Sequence, residues 1–190
     1  MEAINIMDYD PRWPEQFEQL KSIYSAALEN HILSVEHVGS TAVPGLAAKP
    51  VLDIDIIVAD EARLNKTIPI IALMGYQFMG DQGIKDRYAF RAVSDLSPDM
   101  HTGVRWPKHH LYCGIAGSIS LSNHLLFRDA LRGNVTLAEQ YGELKKNLAS
   151  ATGDIDVYVE GKSAFIADVL QKAGLSGNHI QDIIAQNKKK

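Results

Sequence analysis

Phe17, Leu20, Ile23, Tyr24, Ala27 and Leu28 recur at helical spacing, so a helix is predicted from the Asp10–Pro14 turn to about residue 30. Residues 32–38 and 51–58 read as strands, with turns at Gly39-Ser40 and Pro44-Gly45 between them. Residues 62–74 follow a helical pattern that Pro69 must kink or split. A short strand is predicted at 76–79, residues 87–93 alternate as a strand should, and 109–116 give another strand. Residues 94–107 are irregular and rich in turn formers. From residue 120 the pattern becomes helical, at about 120–132, 135–150 and 154–173, although 157–161 is locally strand-like. A last short helix falls at 177–187. This order implies an α+β fold, a mixed sheet flanked by helices with a helical C-terminal segment. No linker divides the chain, so a single domain is expected over 1–190, its core at about 1–118 and its helical segment at about 119–190.

Composition narrows the function classes. The chain has 190 residues, 46% hydrophobic and 22% charged, with 19 basic and 23 acidic side chains and a net charge of -4. That balance argues against bulk nucleic-acid binding, though a local basic cleft stays compatible with it. One cysteine, Cys113, excludes an internal disulfide and suggests a reducing, cytoplasmic compartment. The N-terminus lacks the basic and apolar regions of a secretory signal. The most apolar stretch, 51–59, is short and carries two aspartates, so no membrane partner is expected.

Those two aspartates hold the candidate chemistry. Asp53 and Asp55 lie two apart on an aliphatic strand, so they share one face, with Cα atoms about 7 Å apart. Leu52, Ile54, Ile56 and Val58 take the other face. The bland alternative is a solvated strand edge, but runs this apolar are usually buried on both sides. Like charges in such a place need a counter-charge, and a divalent cation is the simplest, magnesium (or manganese) when phosphate is present. Just before them, Gly39 lets the backbone approach a ligand, and the Ser40 and Thr41 hydroxyls can add hydrogen bonds to phosphate. Ser40 can equally be a helix N-cap. Lys49 precedes the aspartate strand and can neutralise phosphate or pair with Asp53, or sit exposed in its loop. Arg87 and Arg91 share a strand face, while Arg128 and Arg132 are four apart on a helix whose stripe His124 extends. Guanidinium groups suit phosphate, against the alternative of a surface pair such as Asp129–Arg132. His110 can ligate a metal or act as a base, or be an ordinary packed sheet residue beside Tyr112. Gly161-Lys162-Ser163 is not the end of a Walker loop, because Asp156 stands where its first glycine belongs. Cys113 reads as a packed residue.

The spacing of Gly39-Ser40 to Asp53-Ile54-Asp55 resembles the signature of the nucleotidyltransferase superfamily, the fold of DNA polymerase beta. The fuller string, His37 to Pro50, resembles the GrpB family, also called UPF0157. So do Tyr9 to Pro14, His109 to Tyr112, Leu126 to Arg132, and Tyr141 to Lys145, which together span nearly the whole chain. The resemblance implies a nucleotidyltransferase-like core in which Asp53 and Asp55 hold magnesium and Gly39-Ser40 holds a triphosphate. One part of the pattern is missing, since neither 87–93 nor 109–116 contains an acid to serve as a third carboxylate. Asp81, Asp86, Asp95 and Asp99 fall in turns or at strand ends. His110 stands where a third ligand or base is expected. Two readings follow. One is a magnesium-dependent enzyme moving a nucleoside monophosphate to a small-molecule or protein acceptor. The other is a module of the same fold that binds a nucleotide or phospho-ligand without turnover. Family members joined to dephospho-CoA kinase domains add a link to coenzyme A metabolism by association only. The sequence leaves the nucleotide, the acceptor and homo-oligomerisation open.

Overall fold

The structure is a computed structural model that describes residues 4–176; the helix expected at 177–187 lies outside them. Five strands form one sheet: β1 (Ser34–Val38), β2 (Leu52–Val58), β3 (Tyr76–Phe78), β4 (Arg87–Ala92) and β5 (His109–Ile115). Their spatial order is β1-β2-β5-β4-β3. Only β2 and β5 run parallel; the other neighbours are antiparallel. The sheet is therefore mixed, as the element order implies.

One face of the sheet builds the main core. Leu52, Ile54, Ile56 and Val58 of β2 meet Leu111 and Cys113 of β5 beneath α1 (Trp13–Leu28) and α2 (Glu61–Leu73). Five buried residues of α1, Trp13, Phe17, Leu20, Tyr24 and Leu28, make its apolar stripe. Pro69 neither splits nor ends α2, which runs through it to Leu73. His109 also faces this side. Its Nδ1–H donates to the Pro107 carbonyl at 2.8 Å, leaving Nε2 to accept from the Tyr76 hydroxyl at 2.5 Å. Cys113 is buried in the same layer, and burial pushes its thiol up to about 12, which suits a packing role.

The other face carries the polar set. Register places Asp53 opposite His110 and Asp55 opposite Tyr112 on β5, with Arg87, Ala89 and Arg91 of β4 continuing the face. Four helices stand over it: α3 (Ile119–Gly133), α4 (Val135–Ala151), α5 (Ile155–Gly161) and α6 (Ser163–Lys172). They form a second apolar cluster, in which Leu131, Ala138 and Tyr141 meet Val43 and Leu46 of the loop after β1. The single helix expected over 154–173 is two, parted at Lys162. Gly161 packs so closely on α4 that a Cβ there would come within 2.6 Å of Leu148 Cδ2. A glycine at that joint is both a close contact and a helix end.

Candidate functional site

β1 ends at Gly39, whose φ is +69°. An L side chain is strained there, and it would also have no room: a Cβ would lie 2.2 Å from Asp53 Oδ2. The chain then makes a short 3-10 turn, Ser40–Ala42. Glycine is thus required because the turn passes directly over the first aspartate.

Asp53 and Asp55 differ in environment. The Asp53 side chain is one-third exposed, and its Oδ1 accepts from His110 Nδ1–H at 2.9 Å. Asp55 is buried, and its Oδ2 accepts from His124 Nδ1–H at 2.7 Å. Burial opposes charge on His124, but the Asp55 carboxylate favours it and wins, holding the imidazole above its usual range. Asp55 Oδ1 is buried with no hydrogen-bond partner. Such an oxygen is costly unless a ligand takes it.

A cavity of about 530 Å³ opens over this face, between the sheet and the four helices. Gly39, Ser40, Asp53, Arg87 and Tyr112 line it from the sheet, and Asn123, His124, Phe127, Tyr141 and Lys162 from the helices. Arg87 lays its guanidinium 4.6 Å from the centre of the Tyr112 ring. Its Nε and Nη2 are buried without partners.

Lysines supply the remaining charge. Lys145 of α4 donates to Ser40 Oγ at 2.8 Å and to the Ala47 carbonyl at 2.5 Å. Burial, with Lys162 nearby, pushes its ammonium down to about 7, against the pull of Asp53. Burial and Lys49 likewise bring Lys162 down to about 8, again opposed by Asp53. Lys49 and Lys162 both rest on the Tyr158 ring, 5.0 and 4.5 Å from its centre. Buried like charges repel unless an anion joins them, so the cavity suits a polyanion.

Several residues expected at the site stand elsewhere. The Thr41 hydroxyl is buried and faces backward, 3.0 Å from His37 Nε2, where the protein itself satisfies it. Arg128 and Arg132 do not line the cavity. Arg128 donates to Glu36 at 2.9 Å, to Asp129 at 2.7 Å and to the His37 carbonyl at 3.1 Å. Arg132 donates to the Ala42 carbonyl at 2.8 Å. Together they brace the turn from behind. Arg91, bonded to Gln77, lies further along the sheet and outside this cavity. Lys49 reaches Tyr158 rather than Asp53.

Sequence reasoning did not nominate Lys145, Lys162 or His124 as site residues. It also sought a further acid on β4, on β5 and in the turns beside them, but not on β1. The acid beside Asp55 is Glu36 on β1, its register partner on the same face, and Arg128 holds it. Asp86 lines the cavity, but no three carboxylate, imidazole or thiol side chains gather to hold a metal among the described residues.

A mixed five-stranded sheet with a glycine-serine turn over two same-face strand aspartates defines a nucleotidyltransferase-like fold. The chain belongs to the GrpB protein family, which it matches over residues 3–172. Its fold is similar to a crystal structure of the conserved protein GrpB from Enterococcus faecalis, with a TM-score of 0.74 and 34% identity over 89% of this chain and 96% of that one. A UPF0157 protein of Halalkalibacterium halodurans is 31% identical over 172 residues, 90% of this chain and 83% of the relative. Another, of Pseudomonas aeruginosa, is 32% identical over 94% of this chain and 71% of its own length. A dephospho-CoA kinase of Mycolicibacterium paratuberculosis matches at 28% identity, and the match spans 46% of that protein. A structure of the Cid1 poly(U) polymerase with MgGTP bound shares the fold, with a TM-score of 0.52 and 13% identity over 76% of this chain and 44% of that one. No described helix is long and apolar enough to cross a membrane.

Proposed function

We propose that the cavity binds a nucleoside triphosphate with magnesium and that the chain transfers the nucleoside monophosphate to an acceptor hydroxyl. The observation that carries this reading is the buried Lys145 ammonium held on the hydroxyl of Ser40, which lines the cavity together with Asp53 and Lys162. The Ser40 hydroxyl at this turn, backed by lysines, suits the β- and γ-phosphates. Arg87, with two unpartnered nitrogens, suits a phosphate or a base carbonyl. Asp53 and Asp55 would hold the cation. The orphan Asp55 Oδ1 and the shared face fit one magnesium, which binds through one or two carboxylates plus phosphate oxygens. When bound, the cation would offset charge on the phosphates. His110 adjoins Asp53 and is the candidate base for the acceptor hydroxyl.

A specific observation favours the second reading, a binding module without turnover. Glu36 is the strand acid nearest in register, and Arg128 already engages it. One experiment separates the readings. Each labelled nucleoside triphosphate is incubated with the chain, magnesium or manganese, and a metabolite extract, beside Asp53→Ala/Asp55→Ala and Lys145→Ala variants. Label transfer by the wild type alone supports the enzyme. Nucleotide binding that is weakened tenfold or more in Lys145→Ala, without transfer, supports the module. If the wild type binds no nucleotide with metal present, both readings fail.

A further inference from the structure

Asp53 directs its two carboxylate oxygens to different neighbours. Oδ2 lies against the Gly39 backbone, and Oδ1 takes the His110 proton. The Gly39–Ser40 turn follows β1, on one side of β2, whereas β5 and β4 lie on the other. On that second side the same sheet face opens into a trough of about 580 Å³. Ala89, Arg91, His110 and Tyr112 floor it, and Trp106 and Lys108 wall it. Tyr112 lines both spaces, and His110 of the trough bonds Asp53 of the cavity.

In displacement at phosphorus the attacking and leaving oxygens lie roughly in line. A polyphosphate held at Ser40 and Lys145 directs its leaving end toward β1. The attacking oxygen must then arrive from the β5 side, where the trough lies. We propose that this trough is the acceptor subsite and that it takes a small anionic alcohol, phosphorylated or carboxylated. The proposal rests on the nucleotide reading above.

Charge and size select that class. Arg91 and Lys108 leave the trough positive, because Arg105 neutralises the one acid of its lining, Asp95. Gln77 holds Arg91 in place from β3. The Trp106 indole N–H donates to the Pro98 carbonyl at 3.1 Å, which fixes its ring as a wall for the carbon body of a ligand. A chain of net charge -4 is poorly suited to a polynucleotide acceptor. In the reaction the alcohol oxygen bonds to the α-phosphorus. The bond from that phosphorus to the bridging oxygen breaks, its electron pair leaves with pyrophosphate, and the hydroxyl proton passes by way of His110, the candidate base, to water.

The Trp106 indole signal in ¹H–¹⁵N spectra reads the trough directly, with buried Trp13 as internal control. Glycerol 3-phosphate, glycerate, glycerol and oligouridylate are each titrated into the full chain. At least one of the two anions is expected to move the Trp106 signal, and which one tells phosphate from carboxylate. An Arg91→Ala/Lys108→Ala variant is expected to weaken that binding at least tenfold and to bind a non-hydrolysable nucleoside triphosphate as the wild type does. Equal response to glycerol, a response to oligouridylate alone, or unchanged anion binding in the variant overturns the proposal. Nucleotide binding with a silent Trp106 overturns the acceptor assignment alone. Anion binding in a chain that binds no nucleotide overturns it together with the nucleotide reading.

Discussion

Burial lowers the His37 imidazole to about 4, helped by Arg132 and Arg128 and opposed by Asp53. It stacks on Phe17 with ring centres 4.6 Å apart and bonds Thr41 from behind the turn. The unfolded chain takes up this proton near the ordinary value of 6.5, before the folded chain does. Stability from the neutral ring is therefore full above 6.5 and is lost as pH falls toward 4, on the order of 3 kcal/mol in all. Urea unfolding at several pH values is expected to show this loss. A His37→Gln variant, less stable at pH 7, is expected to lose less over the same window. At this scale Asp53 and Asp55 were legible because a two-residue period assigns a face without knowledge of the partner strand. Lys145, Lys162 and His124 were not. A lone basic residue on a helix reads as solvated until the fold shows which surface that helix covers.

Strands β2 and β4 were legible from alternation, β1, β3 and β5 as short runs between turns, and the helices from their apolar stripes, except that α5 and α6 read as one. The order β1-β2-β5-β4-β3 was not, because residues far apart in sequence make those pairings. Arg128 and Arg132 illustrate the same limit. Their spacing put them on one face of α3, but nothing in the spacing said that this face meets β1 and the turn. Arg128 is the main tie between the two elements, its side chain mostly buried against Glu36 and the His37 carbonyl. Removing one partner of such a pair leaves the other charge uncompensated. Arg128→Met is expected to cost about 2–3 kcal/mol in chemical denaturation, discounted from the fully buried case because Glu36 keeps some exposure. Adding Glu36→Gln is expected to restore at least half of that loss. Additive losses in the double variant would mean that the pair is not coupled.

Across the whole molecule, the cavity's positive charge comes from both sides of the cleft. Lys49 precedes β2, while Lys145 belongs to α4 and Lys162 stands at the joint between α5 and α6. With their pKa values lowered, Lys145 and Lys162 gain protons when a polyanion binds near neutral pH. Affinity for tripolyphosphate is expected to be level below about pH 7 and to fall through pH 7–9, by up to tenfold per pH unit for each lysine protonated on binding. Isothermal titration in buffers of different ionisation enthalpy would register the uptake. A flat profile, or the same slope in Lys145→Met, would remove the lysines from that role.

Tyr158 gives this charge a valence. Its ring receives both Lys49 and Lys162, two cations on one apolar surface that offers neither a carboxylate. A single phosphate group is too small a charge to quiet both of them and Lys145 together. On the nucleotide reading proposed above, the cleft would therefore count charges, holding a triphosphate well and a monophosphate poorly, so that a nucleoside monophosphate once parted from its pyrophosphate would lose its grip on the site.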